Sequence, residues 1–111
     1  MMRVEVSNIE GVVKLRIGNM ITYLWDSASI IALIDVLRNN KIKILGGDVY
    51  TFNQYEIKLT YESWTTNKNS LYEDSFTETV DYIRNYEKKH SGKYLYGVVI
   101  EGLLGDDVVL Y

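Results

Sequence analysis

Two adjacent glycines and an aspartate stand inside what otherwise reads as a single strand. Ile42-Lys43-Ile44-Leu45 opens as a short apolar run, Gly46-Gly47-Asp48 breaks it, and Val49-Tyr50-Thr51-Phe52 resumes with four residues that favour strands. Such an interruption calls for a bend or a close backbone approach that a side chain would obstruct. The Asp48 carboxylate is then placed to accept from the freed amides of the bend. Two readings stay open at this point. One is a structural kink or bulge at Gly46 and Gly47. The other is a site at which Asp48 is presented to a ligand or a partner protein.

The flanking segments define the rest of the fold. Met2, Val4 and Val6 share one face of an alternating strand, and Asn8 to Gly11 has turn chemistry. Val13, Leu15 and Ile17 oppose Lys14 and Arg16, Gly18-Asn19 is a two-residue turn candidate, and Met20 to Trp25 forms a third strand. An antiparallel meander is the simplest arrangement of the three, because sequential strands tend to pair. Asp26 or Ser27 caps a helix whose apolar stripe is Ile30, Ile34 and Leu37, ending near Asn39-Asn40. Val49 to Phe52 and Tyr55 to Tyr61 read as a hairpin with its turn at Asn53-Gln54, with Tyr55, Ile57, Leu59 and Tyr61 on one face. Trp64 follows directly. Ser70-Leu71-Tyr72-Glu73 has the spacing of a capping box, Tyr72, Phe76, Val80 and Ile83 recur at helical spacing, and Gly92 suits the position after the helix end. Acids lie at the start of this second helix and Lys88, Lys89 and His90 at its end, as its dipole favours. Tyr94 to Ile100 is an apolar strand, a candidate for the sheet centre, and Val108 to Tyr111 a short last one. The expected product is an α+β fold, a largely antiparallel sheet with two helices on one face, in one domain over residues 1–111.

The composition narrows the chemistry. With no cysteine, disulfides, thiol catalysis and cysteine-ligated zinc are excluded. The lone histidine sits in a Lys-Lys-His-Ser-Gly helix terminus, where complementing the dipole is its natural role. There is no G-x-S-x-G, no phosphate loop and no G-x-G-x-x-G. Net charge is −3 without a basic stripe, so nucleic acid is not the expected partner. The N-terminus has no signal-peptide pattern and no run spans a bilayer, which points to a cytoplasmic protein away from membranes. Ten tyrosines and two tryptophans form a heavy aromatic load, the residue types favoured at protein interfaces. A binding protein without catalysis or cofactor fits best. Its candidate partner-binding residues are Asp48, Tyr50, Tyr55, Tyr61, Trp64 and Tyr72. Two alternatives are weighed beside it. One is a small metal-assisted hydrolase using Asp48 with Glu62, Asp106 or Asp107, for which no metal-ligand spacing is present; the other is a self-associating adaptor.

Ile44-Leu45-Gly46-Gly47-Asp48-Val49-Tyr50, then Tyr61-Glu62-Ser63-Trp64, then a helix carrying Phe76, Tyr82-Ile83 and Tyr86, resembles the bacterial immunity protein 40 family. The resemblance runs from about Trp25 to Tyr96. It departs at Lys43, where a proline is expected, and at Thr65-Thr66, where an aromatic would follow Trp64. It implies a role in polymorphic toxin systems: binding and blocking a cognate toxin domain, with no catalysis. The free chain is expected to be a monomer. The family motif falls on Leu45, Gly46, Gly47, Asp48, Val49, Tyr50 and Trp64. Within it Leu45, Gly46 and Gly47 are expected to be structural, while Asp48, Tyr50 and Trp64 mix structural and binding roles.

Overall fold

The apolar alternation at the N-terminus does make a strand, but its partner lies at the far end of the chain. The computed structural model describes residues 1–54, 56–102, 105 and 107–111. Among these the elements run β1 (Met2–Val4), β2 (Val13–Ile17), β3 (Met20–Leu24), α1 (Ser29–Asn39), β4 (Lys43–Phe52), β5 (Ile57–Thr65), α2 (Tyr72–Lys89), β6 (Tyr94–Glu101) and β7 (Val108–Leu110). β1 pairs in parallel with β7, Val4 opposite Leu110. This replaces the expected three-strand meander. The Asn8–Gly11 turn carries the chain away, through Ile9 N–H to the Val6 carbonyl at 3.0 Å and Val12 N–H to the Ile9 carbonyl at 3.3 Å. Val6 and Ser7 both donate to the Tyr111 carbonyl, which fixes the two ends of the chain together. Only β2 and β3 form the hairpin, with Ile17 opposite Met20 and Gly18 at φ 60°, the left-handed conformation that a tight hairpin turn requires.

The three-stranded sheet has the order β5-β4-β6, all antiparallel, so β4 and not β6 is its central strand. Beyond β6, Trp25 alone bridges to Tyr96. The core gathers Trp25, Ile30, Leu33, Ile34, Leu37, Ile44, Val49, Trp64, Phe76, Ile83 and Tyr96 into one cluster, to which both helices contribute. The result is the expected α+β architecture.

The helix ends show where local chemistry prevails and where tertiary contacts displace it. Asp26 and Ser29 cap α1 reciprocally: Ser29 N–H donates to Asp26 Oδ1 at 2.7 Å, and Asp26 N–H to Ser29 Oγ at 2.9 Å. At its other end Ile42 N–H reaches back to the Leu37 carbonyl, while Lys41 takes φ 55°, the position usually given to glycine. The capping box of α2 does not form. Leu71 is the extended residue before the helix, and no side chain caps it. Ser70 Oγ instead donates to Glu78 Oε2 at 2.6 Å, and Glu73 pairs with Arg38 of α1 at 2.6 Å. Leu71 takes the N-cap position that the box gives to Ser70, so the two box side chains are out of register and pair elsewhere. The helix ends at Lys89 with His90 as its C-cap, so Ser91, not Gly92, is the next residue out.

Candidate functional site

The Gly-Gly-Asp segment sits in the middle of the central strand, bracketed by two irregularities. Against β6, Ile44 pairs with Ile100 and Gly46 with Val99, so Leu45 is an extra residue on β4. Against β5, Asp48 pairs with Ser63 and Tyr50 with Leu59, so the surplus now lies on β5, at Thr60-Tyr61-Glu62. The glycines let the strands close on each other at this point. A Cβ on Gly46 would strike the Trp64 carbonyl, and one on Gly47 would strike the Gly97 carbonyl and the six-membered ring of Trp64.

Trp64 lies inside β5, is 8% exposed and covers Gly47 from the helix side. Its indole stacks on Tyr82 with centroids 5.0 Å apart, meets Tyr96 edge-on at 6.3 Å, and donates from Nε1 to Thr79 Oγ1 at 3.2 Å. The stack continues through Tyr86 to His90 along α2. Trp64 thus fastens the motif strand to α2.

Asp48 and Tyr50 point the other way. Alternation puts them opposite Gly47 and Val49, and the Tyr50 ring edge would meet a Cβ on Gly97 at 3.4 Å. Both are half-buried. Burial first, and the neighbouring Asp48 carboxylate second, push the Tyr50 phenol above its ordinary pKa. The Asp48 carboxylate takes no hydrogen bond from the bend amides among the described residues, contrary to the expectation from turn chemistry. Leu45, Asp48, Ser63 and Val99 rim the shallow hollow above the glycines.

The second irregularity presents Tyr61. Thr60 Oγ1 donates to the Val49 carbonyl at 2.8 Å and accepts from Glu62 N–H at 3.1 Å, which braces the bulge. Between them Tyr61 adopts φ 67° and is 88% exposed. This breaks the clean alternation expected from Tyr55 to Tyr61. Glu62 turns toward α2 and accepts from the Tyr86 hydroxyl at 3.3 Å. Burial and the Glu62 charge raise the pKa of both Tyr82 and Tyr86.

The six candidate contact residues therefore do not form one surface. Asp48 and Tyr50 share the outer face of the sheet, and Tyr61 stands on its β5 edge. Trp64 is in the core, and Tyr72 packs beside Phe76 on the helix side, centroids 6.0 Å apart. Tyr55 and Asp106 lie outside the described residues. Asp48 and Glu62 face opposite sides of the sheet, and among the described residues no three histidine, cysteine, aspartate or glutamate side chains come together. No described helix is long and apolar enough to cross a membrane.

Lys43 and Thr66 act together at the far end of the motif strand. Lys43 Nζ donates to the carbonyls of Asn67 and Lys68, and buried Thr66 Oγ1 donates to the Ile44 carbonyl at 2.8 Å. Both secure the loop that leads into α2. A proline at 43 would leave the first of these ties unmade.

A family model described as immunity protein 40 matches residues 14–100. The match starts within β2, earlier than the motif residues alone suggest, and runs through both helices to β6. No curated protein and no solved structure matches the chain. The matched span contains β4, β5 and all but the last residue of β6, with the glycine-floored Trp64 between them, and the chain belongs to the immunity protein 40 family.

Proposed function

We propose that the chain is a non-catalytic immunity protein, a single cytoplasmic domain, monomeric when free, that binds a cognate toxin domain of a bacterial polymorphic toxin system and blocks it. Family membership supplies the class of function. The observation that carries the reading to a surface is Tyr61. A bulky side chain held in the left-handed region and almost wholly in solvent costs folding free energy and contributes no packing. A protein contact made by that ring accounts for the conformation.

In this reading Tyr61 is the anchor, and Asp48 and Tyr50 contact the toxin on the outer face that β5 borders. Leu45, Gly46, Gly47 and Trp64 hold the backbone that presents them. Tyr72, on the helix side, is outside the contact. An inhibitory interface needs about 800 Å² on each partner, so Tyr61 is the centre of a patch and not the whole of it.

The test is a growth rescue. The toxin domain encoded beside this gene is expressed with the parent chain, with Tyr61→Ala and with Asp48→Ala, each variant first checked for folding by circular dichroism. Rescue by the parent and loss of rescue with folded Tyr61→Ala is the expected pattern. Failure of the parent to rescue, with no complex on mixing the purified proteins, overturns the assignment.

A further inference from the structure

Pairing between β3 and β6 begins and then stops. Trp25 and Tyr96 exchange both backbone hydrogen bonds, at 2.9 and 2.8 Å. Beyond that bridge, among the described residues, β3 pairs only with β2, and β6 only with β4. In an antiparallel ladder, alternate residues direct their backbone groups to the same side. Tyr96 faces β3, so Val98 and Ile100 face it too. Trp25 faces β6, as do Tyr23 and Ile21. Among the described residues none of these four has a backbone partner across the gap. Two strand edges diverge around a cleft of about 310 Å³, with Val108 and Leu110 of β7 also lining it.

Trp25 lines the same cleft. Its side chain is fully buried, and its Nε1–H has no acceptor among the described residues. Buried indole N–H groups are otherwise paired, as the second tryptophan is with Thr79. Among the described residues no charged side chain lines the cleft. An occupant must therefore be uncharged where it enters, carry apolar side chains, and offer N–H and C=O groups at the spacing of a strand. Those are the properties of an extended peptide.

We propose that the cleft between β3 and β6 receives an extended, uncharged segment of the toxin domain, which adds to the β6 edge as a strand and brings a carbonyl to Trp25 Nε1. The inference rests on the toxin-binding reading and extends it to the edge of the sheet opposite Tyr61. Main-chain bonds to Val98 and Ile100 supply affinity in this mode of recognition, and the apolar wall selects the side chains. Strands lie about 4.8 Å apart, so a partner covering the outer face from β5 reaches β6 without strain.

Amide hydrogen exchange tests this on the full chain, free and mixed with the toxin domain encoded beside the gene. In the free chain the Val98 and Ile100 amides exchange faster than Tyr96. In the complex they are slowed, and one of the two indole N–H resonances, that of Trp25, moves downfield. Ile21→Lys places a charge on the cleft wall at a position already 44% exposed, so the fold tolerates it. It weakens the complex by about tenfold or more, whereas Ile31→Lys on α1 leaves binding unchanged. If the complex forms but Val98 and Ile100 exchange as before and Ile21→Lys binds like the parent, the cleft assignment is overturned and toxin binding stands. If no complex forms, both fall. Val98 and Ile100 amides already as slow as Tyr96 in the free chain mean that β3 closes the gap, and the proposal is wrong.

Discussion

The indole of Trp64 rests on Gly47, close enough that a single methyl group there would strike its Cη2 and Cζ2 atoms. The neighbouring obstacle is the Gly97 carbonyl of the adjacent strand, which has no rotamer to escape to. Gly47→Ala is therefore expected to destabilise the chain by about 1–3 kcal/mol, the usual cost of overpacking a close-packed site. Thr79→Val acts on the same contact from the helix. It removes the acceptor of a buried N–H and is expected to cost about 1–3 kcal/mol. Urea unfolding of both variants reads these directly. A Gly47→Ala midpoint equal to the parent would show that Trp64 does not hold this position in solution.

Tyr61 gives two variants with different effects on stability and the same effect on binding. Left-handed backbone costs a non-glycine residue about 1–2 kcal/mol, part of which glycine returns as chain entropy in the unfolded state. Tyr61→Gly is thus expected to gain stability by about 0.5–1 kcal/mol. Tyr61→Ala keeps the strained backbone and gains nothing. Both lose the ring, and both are expected to lose toxin affinity by about tenfold or more if Tyr61 is the anchor. Thermal unfolding and a binding titration on the same samples separate the two effects. Tyr61→Gly that binds as tightly as the parent removes Tyr61 from the interface.

The parts of this fold that local chemistry specifies are legible in the sequence. Of the stripe Tyr72, Phe76, Val80 and Ile83, Phe76 and Ile83 are buried in the core and Tyr72 and Val80 pack half-buried against it, and the acidic and basic ends of α2 lie where its dipole favours them. The Gly18-Asn19 hairpin forms in the expected register. What fails to show is set by partners distant in sequence. The second helix starts one residue later than the capping box implies, with Leu71 at its N-cap and Glu73 paired to Arg38. The Tyr111 carbonyl binds Val6 and Ser7 and so secures β1 beside β7.

The candidate site divides in the same way. The need for Gly46 and Gly47 is visible as an interruption in an apolar strand, but the object pressing on them, Trp64, is not. Counting the alternation straight through Tyr61 puts Trp64 on the polar face with Glu56, Lys58 and Thr60. The bulge at Thr60-Tyr61-Glu62 resets the phase, turning Tyr61 outward and Trp64 inward. No turn-forming residue marks that bulge; it is a tyrosine in a glycine conformation. The Trp25 cleft carries no sequence signal either, since it arises from two strands that separate after one bridge.

Glu78 sets an acid limit on the loop before α2. Its carboxylate accepts from Ser70 Oγ and from Asn67 N–H at 2.9 Å, with Lys43 nearby. The Ser70 bond first, then the Asn67 amide, hold its pKa below the ordinary glutamate value. A lowered folded pKa means the unfolded chain takes up the proton more readily. The stabilising contribution is therefore complete above the ordinary value near 4.5 and fades as pH falls through the lower folded value. The group is largely in solvent, so the effect is small and salt-sensitive. Glu78→Gln is expected to flatten the acid limb of the stability profile and to speed exchange of the Asn67 amide. An acid limb unchanged by the substitution would assign it to other carboxylates.

At the alkaline end the buried tyrosines take over. The Tyr96 hydroxyl is deep in the core and donates to Glu87 Oε2 at 2.7 Å; burial first, then that bond and its charge, raise its pKa far above the ordinary phenol value. Tyr50, Tyr82 and Tyr86 are shifted in the same direction, by burial and by Asp48 or Glu62. The folded chain thus keeps protons that the unfolded chain releases near pH 10. Stability from these groups is complete below about pH 10 and is lost as pH rises toward the folded values. Titration followed by tyrosinate absorbance is expected to show two steps, the second coinciding with loss of the far-ultraviolet circular dichroism. Tyr96→Phe removes the most strongly shifted of the four. It is expected to lower stability at neutral pH by about 1.5–3 kcal/mol, the worth of a hydrogen bond to a charged group, and to make the alkaline fall shallower. Ten tyrosines ionising in one step with the fold intact would mean that Tyr96 is open to solvent, and with it the sheet–helix interface that supports the Gly-Gly-Asp strand.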